Sequence, residues 1–201
     1  NERRYDKLFK NADTYLEKIL QKINELEFDK NSIIVVLSDH GISLGEKFGE
    51  RAYGAFCYDY TIKTFCYIKS PEIKPKTIHQ QVRHIDIMPT ILDMLGISLS
   101  KNYENLAGIS LMPLIKGGIL DENIAYSETG NPLDEKAPPK EPNIHSIRTT
   151  NWKLIYNSHN NSKELYDLKT DPNENNNLIG GKLEIEEILW KHLLKIKNKN
   201  T

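Results

Sequence analysis

Apolar side chains recur at three- and four-residue spacing from the start of the chain. Tyr5, Leu8, Phe9, Ala12, Leu16, Ile19, Leu20, Ile23 and Leu26 predict one long amphipathic helix over 2–27, its stripe facing a core. Asp29, Lys30 and Asn31 break the pattern. Ile33-Ile34-Val35-Val36-Leu37 then runs with no polar alternation, which suits a strand covered on both faces, as in a parallel sheet. A helix, a short loop and a buried strand make half of a βαβ unit, so the pattern predicts an α/β fold. The strand stops at Ser38-Asp39-His40-Gly41, and 42–60 reads as a long loop. Residues 61–69 partly alternate and predict a second strand that ends before Ser70-Pro71.

Helix signals return at 86–96. Asp86 suits a cap, Pro89 the first turn and Gly96 the left-handed stop position. A shorter helix is predicted at 111–116, with Ser110 as cap and Gly117-Gly118 as terminator. Residues 131–143 carry four prolines and many charges, and read as an exposed boundary. Three short β-like runs follow, at 144–149, 152–156 and 163–168, and predict a small antiparallel sheet. Residues 182–197 close the pattern as an amphipathic helix, with Leu183, Ile188, Leu189, His192, Leu193 and Ile196 near one face. The organisation expected is therefore an α/β part over 1–130 and an antiparallel sheet with a terminal helix over 131–201.

Composition narrows the classes. In 201 residues, 38% are hydrophobic and 27% charged, enough to bury a core. Lys and Arg number 27 against 28 Asp and Glu, so the near-neutral chain offers no global footprint for nucleic acid. Cys57 and Cys66 provide no disulfide framework and no zinc-type CxxC spacing. That usage is compatible with a reducing cytoplasmic setting, but no targeting signal is read and localisation stays open. No apolar run reaches the roughly 18 residues of a membrane span. The chain begins at Asn1 in charged sequence, and is expected to be the C-terminal portion of a longer protein.

The candidate chemistry sits at the end of the first strand. Ligands of open α/β sheets bind beyond strand carboxyl ends. Asp39 and His40 stand there, followed by Gly41, and a carboxylate with a neutral imidazole can ligate a divalent cation. Spacing alone also fits an aspartate capping a turn beside a surface histidine. His79, His145, His159 and His192 have no partner at metal spacing, and His84, just before the Asp86 helix, is expected to be structural, with an approach to the site as its alternative. Glu46 reads as a loop-stabilising carboxylate. The sequon Asn160-Asn161-Ser162 matters only in a secreted protein.

A series of segments gives this pair more weight. Ser38-Asp39-His40-Gly41-Ile42-Ser43-Leu44-Gly45-Glu46 resembles the SDHGxxLGE segment of sulfatases and their relatives in the alkaline phosphatase superfamily. Further resemblances follow in the same order: Tyr58–Phe65 to YEExIRVP, Val82–Ile97 to VxxxDxxPTxLDxxGI, Gly108–Leu114 to GxSLxPL, Ile147–Tyr156 to VRTxxxKLIY, and Glu164–Glu174 to ELYDLxxDPxE. The resemblance implies a mixed, mostly parallel sheet flanked by helices, alkaline phosphatase-like, with a small C-terminal antiparallel sheet and terminal helix. It implies hydrolysis of sulfate esters at a divalent metal, with Asp39 and His40 matching one of the family's ligand pairs. An imidazole at this place leans toward Mn or Zn rather than Ca.

The departures matter as well. The family nucleophile, a Cys or Ser converted to formylglycine, has no counterpart around Cys57 or Cys66, both expected to be small buried residues. The family's first ligand pair is missing too. No catalytic residue is therefore assigned in this chain, which is expected to be inactive without the N-terminal remainder. The family's substrate-facing Lys or His is replaced by Tyr53-Gly54, leaving Arg51, Lys47 and the Tyr53 hydroxyl as candidate contacts to a small-molecule or saccharide ester. Three functions stay open: a sulfatase; a phosphodiesterase, phosphonate hydrolase or phosphoethanolamine-type transferase of the same superfamily; and a non-catalytic module keeping the fold.

Overall fold

A computed structural model describes residues 2–50, 53–98, 107–130 and 141–198. The chain is α/β and divides into two compact units: residues 1–39 with 64–77, and residues 40–63 with 78–201.

The first unit opens with α1 (Glu2–Glu25), close to its predicted extent, followed by a 3-10 turn at Phe28–Lys30. Strand β1 (Ile34–Leu37) pairs antiparallel with β2 (Cys66–Lys69), in register from Ile34 opposite Lys69 to Leu37 opposite Cys66. This pair is the whole sheet of the unit among the described residues, so the parallel neighbour expected of β1 is not among them. Nor does the α1 stripe lie in a core here: Leu8, Phe9 and Ile19 are exposed, while Leu16, Leu20 and Ile23 are half-buried. A two-stranded sheet offers too little apolar surface to cover a helix of six turns. Cys66 is exposed, against the expectation that it is buried.

The second unit is built on a four-stranded antiparallel sheet, β3 (Ala125–Thr129), β4 (Ile144–Arg148), β5 (Trp152–Asn157) and β6 (Ser162–Asp167), in sequence order. Three of these strands match the predicted runs; β3 was not predicted. It pairs with β4 from Ala125 opposite Arg148 to Thr129 opposite Ile144, so one sheet straddles position 131. Register places Ile147, Leu154 and Leu165 in one row, all closed to solvent. Helix α5 (Glu184–Lys197) lays Leu189 and Leu193 over that row. Each such leucine contributes about 1.5–3 kcal/mol through burial. Ile188 and His192, placed near the same face by the sequence pattern, are exposed. Alternation sends Ile144, Ile155 and Tyr166 to the opposite face, where Cys57 and Tyr58 cover them. The sheet is buried on both sides, which explains why β4 is almost continuously buried.

The segment on that second face departs from the predicted strand. Residues Asp59–Ile62 form a helical turn, α2, and only Cys66–Lys69 extend. Thr61 Oγ1 donates to the Tyr58 carbonyl at 2.9 Å, closing the turn. After a 3-10 turn at His84–Asp86 comes α3 (Ile87–Met94), ended by Gly96 at φ +66° as expected. Asp86 does not cap it with its side chain. Its carboxylate instead takes the Arg83 amide at 2.9 Å, the Arg83 guanidinium at 2.7 Å and the Ile109 amide at 3.0 Å. Thr90 Oγ1 accepts from the Leu111 amide just before α4 (Met112–Ile115), so two of the quoted segments lock together.

Candidate functional site

Ser38 ends β1, its amide donating to the Phe65 carbonyl at 3.2 Å. Asp39 follows in the first unit and is exposed. His40 opens the second unit, also exposed, with Nδ1 2.6 Å from the Gly41 carbonyl oxygen. A carbonyl only accepts, so Nδ1 donates in this contact and ligation of a cation would fall to Nε2, the arrangement typical of a ligating histidine. The Tyr53 ring meets His40 edge-on, centroids 5.7 Å apart.

Gly41 holds this geometry to α2. Its amide donates to the Thr61 carbonyl at 2.8 Å. A Cβ here would lie 2.1 Å from the Tyr60 carbonyl oxygen, so only glycine fits. In the loop beyond, Glu46 accepts from the Leu44 amide at 2.8 Å, the Gly45 amide at 3.1 Å and Ser43 Oγ at 3.0 Å. Burial opposes ionisation, but these bonds hold the Glu46 carboxyl below the usual carboxylate range. Lys47 reaches away from the loop. Its ammonium donates to the Glu174 carbonyl and, at 3.2 Å, to Asn175 Oδ1, and lies 5.2 Å from the Tyr58 ring centroid. Tyr53 is 76% exposed. Arg51 lies outside the described residues.

Beneath α2 is a buried cluster to which the sequence reading gave no role. Asp59 accepts from Arg148 Nε at 2.9 Å and a terminal Arg148 nitrogen at 2.8 Å, a forked contact. Lys153 bridges Asp59 Oδ1 at 2.9 Å and Glu174 Oε1 at 2.8 Å. Glu174 Oε2 takes the Asp59 amide at 2.6 Å. Burial opposes the Asp59 charge, but Arg148 and Lys153 hold its carboxyl down at about 2. Cys57, packed above, has its thiol pushed up to about 12 by burial, so it offers no thiolate. A signal that could have found this cluster is a lysine inside the apolar run Trp152-Lys153-Leu154-Ile155. A charge on a buried strand face needs partners. Among the described residues no group of three or more His, Cys, Asp or Glu could hold a metal alone, and no helix is long and apolar enough to cross a membrane.

Fold and motif order together define the class: this is the C-terminal part of a sulfatase-type fold of the alkaline phosphatase superfamily. The chain belongs to the family described as N-sulphoglucosamine sulphohydrolase, C-terminal, which matches residues 49–199. It is 29% identical to bovine (Bos taurus) N-acetylglucosamine-6-sulfatase over 199 residues, covering 83% of this chain and 34% of that protein. The chain thus spans about a third of the length of that curated relative. A protein solved in complex with its substrate D-glucosamine-2-N,6-O-disulfate matches with a TM-score of 0.71 and 26% identity, over 92% of this chain and 38% of that one. The phosphonate monoester hydrolase of Silicibacter pomeroyi shares the fold, with a TM-score of 0.72 at 22% identity over 94% of this chain and 39% of that one.

Proposed function

We propose that the full-length protein is a metal-dependent sulfatase acting on sulfated saccharides, and that this chain supplies Asp39 and His40 as two of its metal ligands. The observation that carries the reading is the His40 ring, whose Nδ1 proton is committed to the Gly41 carbonyl at 2.6 Å. That contact would assign ligation to Nε2 of an exposed imidazole, which an exposed carboxylate precedes in the chain. Two ligands are fewer than the four or more that Zn, Mn or Ca takes, so the rest come from outside the described residues. When bound, the cation supplies Lewis-acid polarisation of the ester oxygen.

This chain's own part is to present ligands and to shape the approach. The Gly41–Thr61 bond fixes the backbone behind His40, and the exposed Tyr53 hydroxyl beside it can donate to a sulfate oxygen. Neither cysteine lies in the family's nucleophile motif; in this reading a formylglycine hydrate elsewhere in the protein would be the nucleophile, its hydroxyl oxygen displacing the saccharide oxygen from sulfur, with a proton returned to that leaving oxygen. A second reading, hydrolysis of a phosphate or phosphonate ester, draws on the fold shared with the phosphonate monoester hydrolase.

The test is turnover by the full-length protein of 6-O- and N-sulfated glucosamine against an aryl phosphonate, with Mn²⁺, Zn²⁺ or Ca²⁺ added after EDTA treatment. Sulfate release restored by one cation and absent in His40→Ala supports the sulfatase reading. Preferential phosphonate turnover replaces it with the second reading. Failure to hydrolyse either class favours a non-catalytic module.

A further inference from the structure

The sequence reading gave Glu174 no role, and burial alone would make it a liability. Its side chain is 1% exposed and its backbone holds φ at +55°, a conformation uncommon for a non-glycine residue. Three contacts hold it in place. Oε1 pairs with Lys153, Oε2 takes the Asp59 amide, and the backbone carbonyl takes the Lys47 ammonium. Lys47 and Asp59 bracket the segment that carries Tyr53. One residue therefore clamps both ends of the loop, from 115 positions away at the Asp59 end.

The contacts continue toward His40. The Asp59 amide opens α2, whose Thr61 carbonyl takes the Gly41 amide at 2.8 Å. The Gly41 carbonyl in turn holds Nδ1 of His40. We propose that Glu174 is a positioning residue: through Asp59, α2 and Gly41 it fixes the orientation of the His40 imidazole, and through Lys47 it fixes the loop that sets Tyr53 against that ring. The inference rests on the metal reading above for its consequence, but the clamp itself is a matter of backbone geometry.

The experiment compares Glu174→Gln and Glu174→Ala in the full-length protein. It measures amide hydrogen exchange of peptides covering 38–44 and 59–63, Mn²⁺ affinity by titration, and thermal midpoint. Glu174→Ala should speed Gly41 exchange by about tenfold or more, the worth of a hydrogen bond to a charged group. It should weaken Mn²⁺ by about tenfold or more, as loss of an outer support of a ligating histidine does. Glu174→Gln keeps an acceptor for the Asp59 amide and should recover part of both. A purely structural glutamate lowers the midpoint in each variant while the folded protein keeps parental exchange at Gly41 and parental Mn²⁺ affinity; that result overturns the proposal. Should neither variant fold, Lys47→Met, which spares the buried charges, must speed exchange across 47–58, and unchanged exchange there also overturns it. A parent protein that binds no Mn²⁺ sinks the metal reading, and the clamp then stands or falls on Gly41 exchange alone.

Discussion

Lys153 and Glu174 form an ion pair at 2.8 Å in which neither side chain reaches solvent. Asp59 joins Lys153 on its other side, and Arg148 grips Asp59, so two cations and two anions balance beneath α2. The four partners come from three of the quoted segments: Asp59 from the YEExIRVP-like one, Arg148 and Lys153 from VRTxxxKLIY, Glu174 from ELYDLxxDPxE. Far apart in the chain, these segments hold one another through charge.

Removing one member should therefore cost more than the pair contributes. Lys153→Met leaves Asp59 and Glu174 buried beside each other with one cation fewer, and is expected to destabilise the protein by about 3–5 kcal/mol. The double variant Lys153→Met/Glu174→Gln removes the orphaned charge and should recover part of that loss. Urea unfolding measures both. A single variant within about 0.5 kcal/mol of the parent, the range of an ordinary surface substitution, refutes the buried-pair account.

The cluster also sets an acid limit. The Asp59 carboxyl sits at about 2 in the fold against 3.8 ordinarily. A depressed carboxylate contributes stability that is present above the unfolded value and lost as pH falls through the folded one. The loss from Asp59 should thus run from about pH 3.8 down to about pH 2 and amount to something on the order of 2 kcal/mol. Glu174 acts in the opposite direction, because burial pushes its carboxyl up and its ionisation costs stability at higher pH. Thermal midpoints between pH 2 and pH 5 test the point: Asp59→Asn should be less stable than the parent at pH 5 and show a flatter acid limb. Parallel limbs for the two proteins refute it.

Metal binding gives a separate test. Asp39→Ala/His40→Ala should abolish Mn²⁺ binding and metal-dependent turnover of the full-length protein while leaving its circular dichroism unchanged, because both side chains are exposed and neither supports a core. Retained metal-dependent activity in the double variant would remove both residues from the site.

Some of this was legible in the sequence and some was not, for physical reasons. Helix α5 and strands β4 to β6 read clearly because their apolar residues recur at the helix or strand period and are buried, as Leu189 and Leu193 are against Leu154 and Leu165. Strand β3 escaped because it is a partly exposed edge carrying Ser127, Glu128 and Thr129, with little apolar alternation. Residues 61–64 read as strand because Thr61, Ile62 and Thr64 favour one locally. The helical turn that instead takes Thr61 and Ile62 is held by contacts that no local window contains, such as the Asp59 amide bond to Glu174. The motif order singled out Asp39 and His40 as candidate ligands. It also included Glu174, at the end of the ELYDLxxDPxE-like segment, but gave it no role, because its contacts with Lys47, Asp59 and Lys153 form only in three dimensions.

The loop that the proposed function turns toward the substrate yields the last prediction. A transferring sulfuryl group builds negative charge on its oxygens, and some donor must meet it. Lys47 is committed elsewhere, its ammonium shared among the Glu174 carbonyl, Asn175 and the Tyr58 ring. Tyr53 stands exposed beside His40 but brings only a neutral hydroxyl. Arg51, two positions earlier in the chain, brings a planar fork that holds two oxygens and stays charged at any working pH. Arg51→Ala in the full-length protein should lower kcat by about a hundredfold or more, the usual cost of about 2.7–4 kcal/mol for one such donor. Tyr53→Phe should cost less, since it removes a neutral bond worth about 0.5–1.5 kcal/mol. Lys47→Met should show itself in loop exchange before it shows in kcat. A loss below about threefold in Arg51→Ala, under 1 kcal/mol, would return that arginine to the solvated surface. Were Lys47→Met then to carry the kcat loss with loop exchange unchanged, the donor would be Lys47, and its contact with the Glu174 carbonyl would have to break when substrate binds.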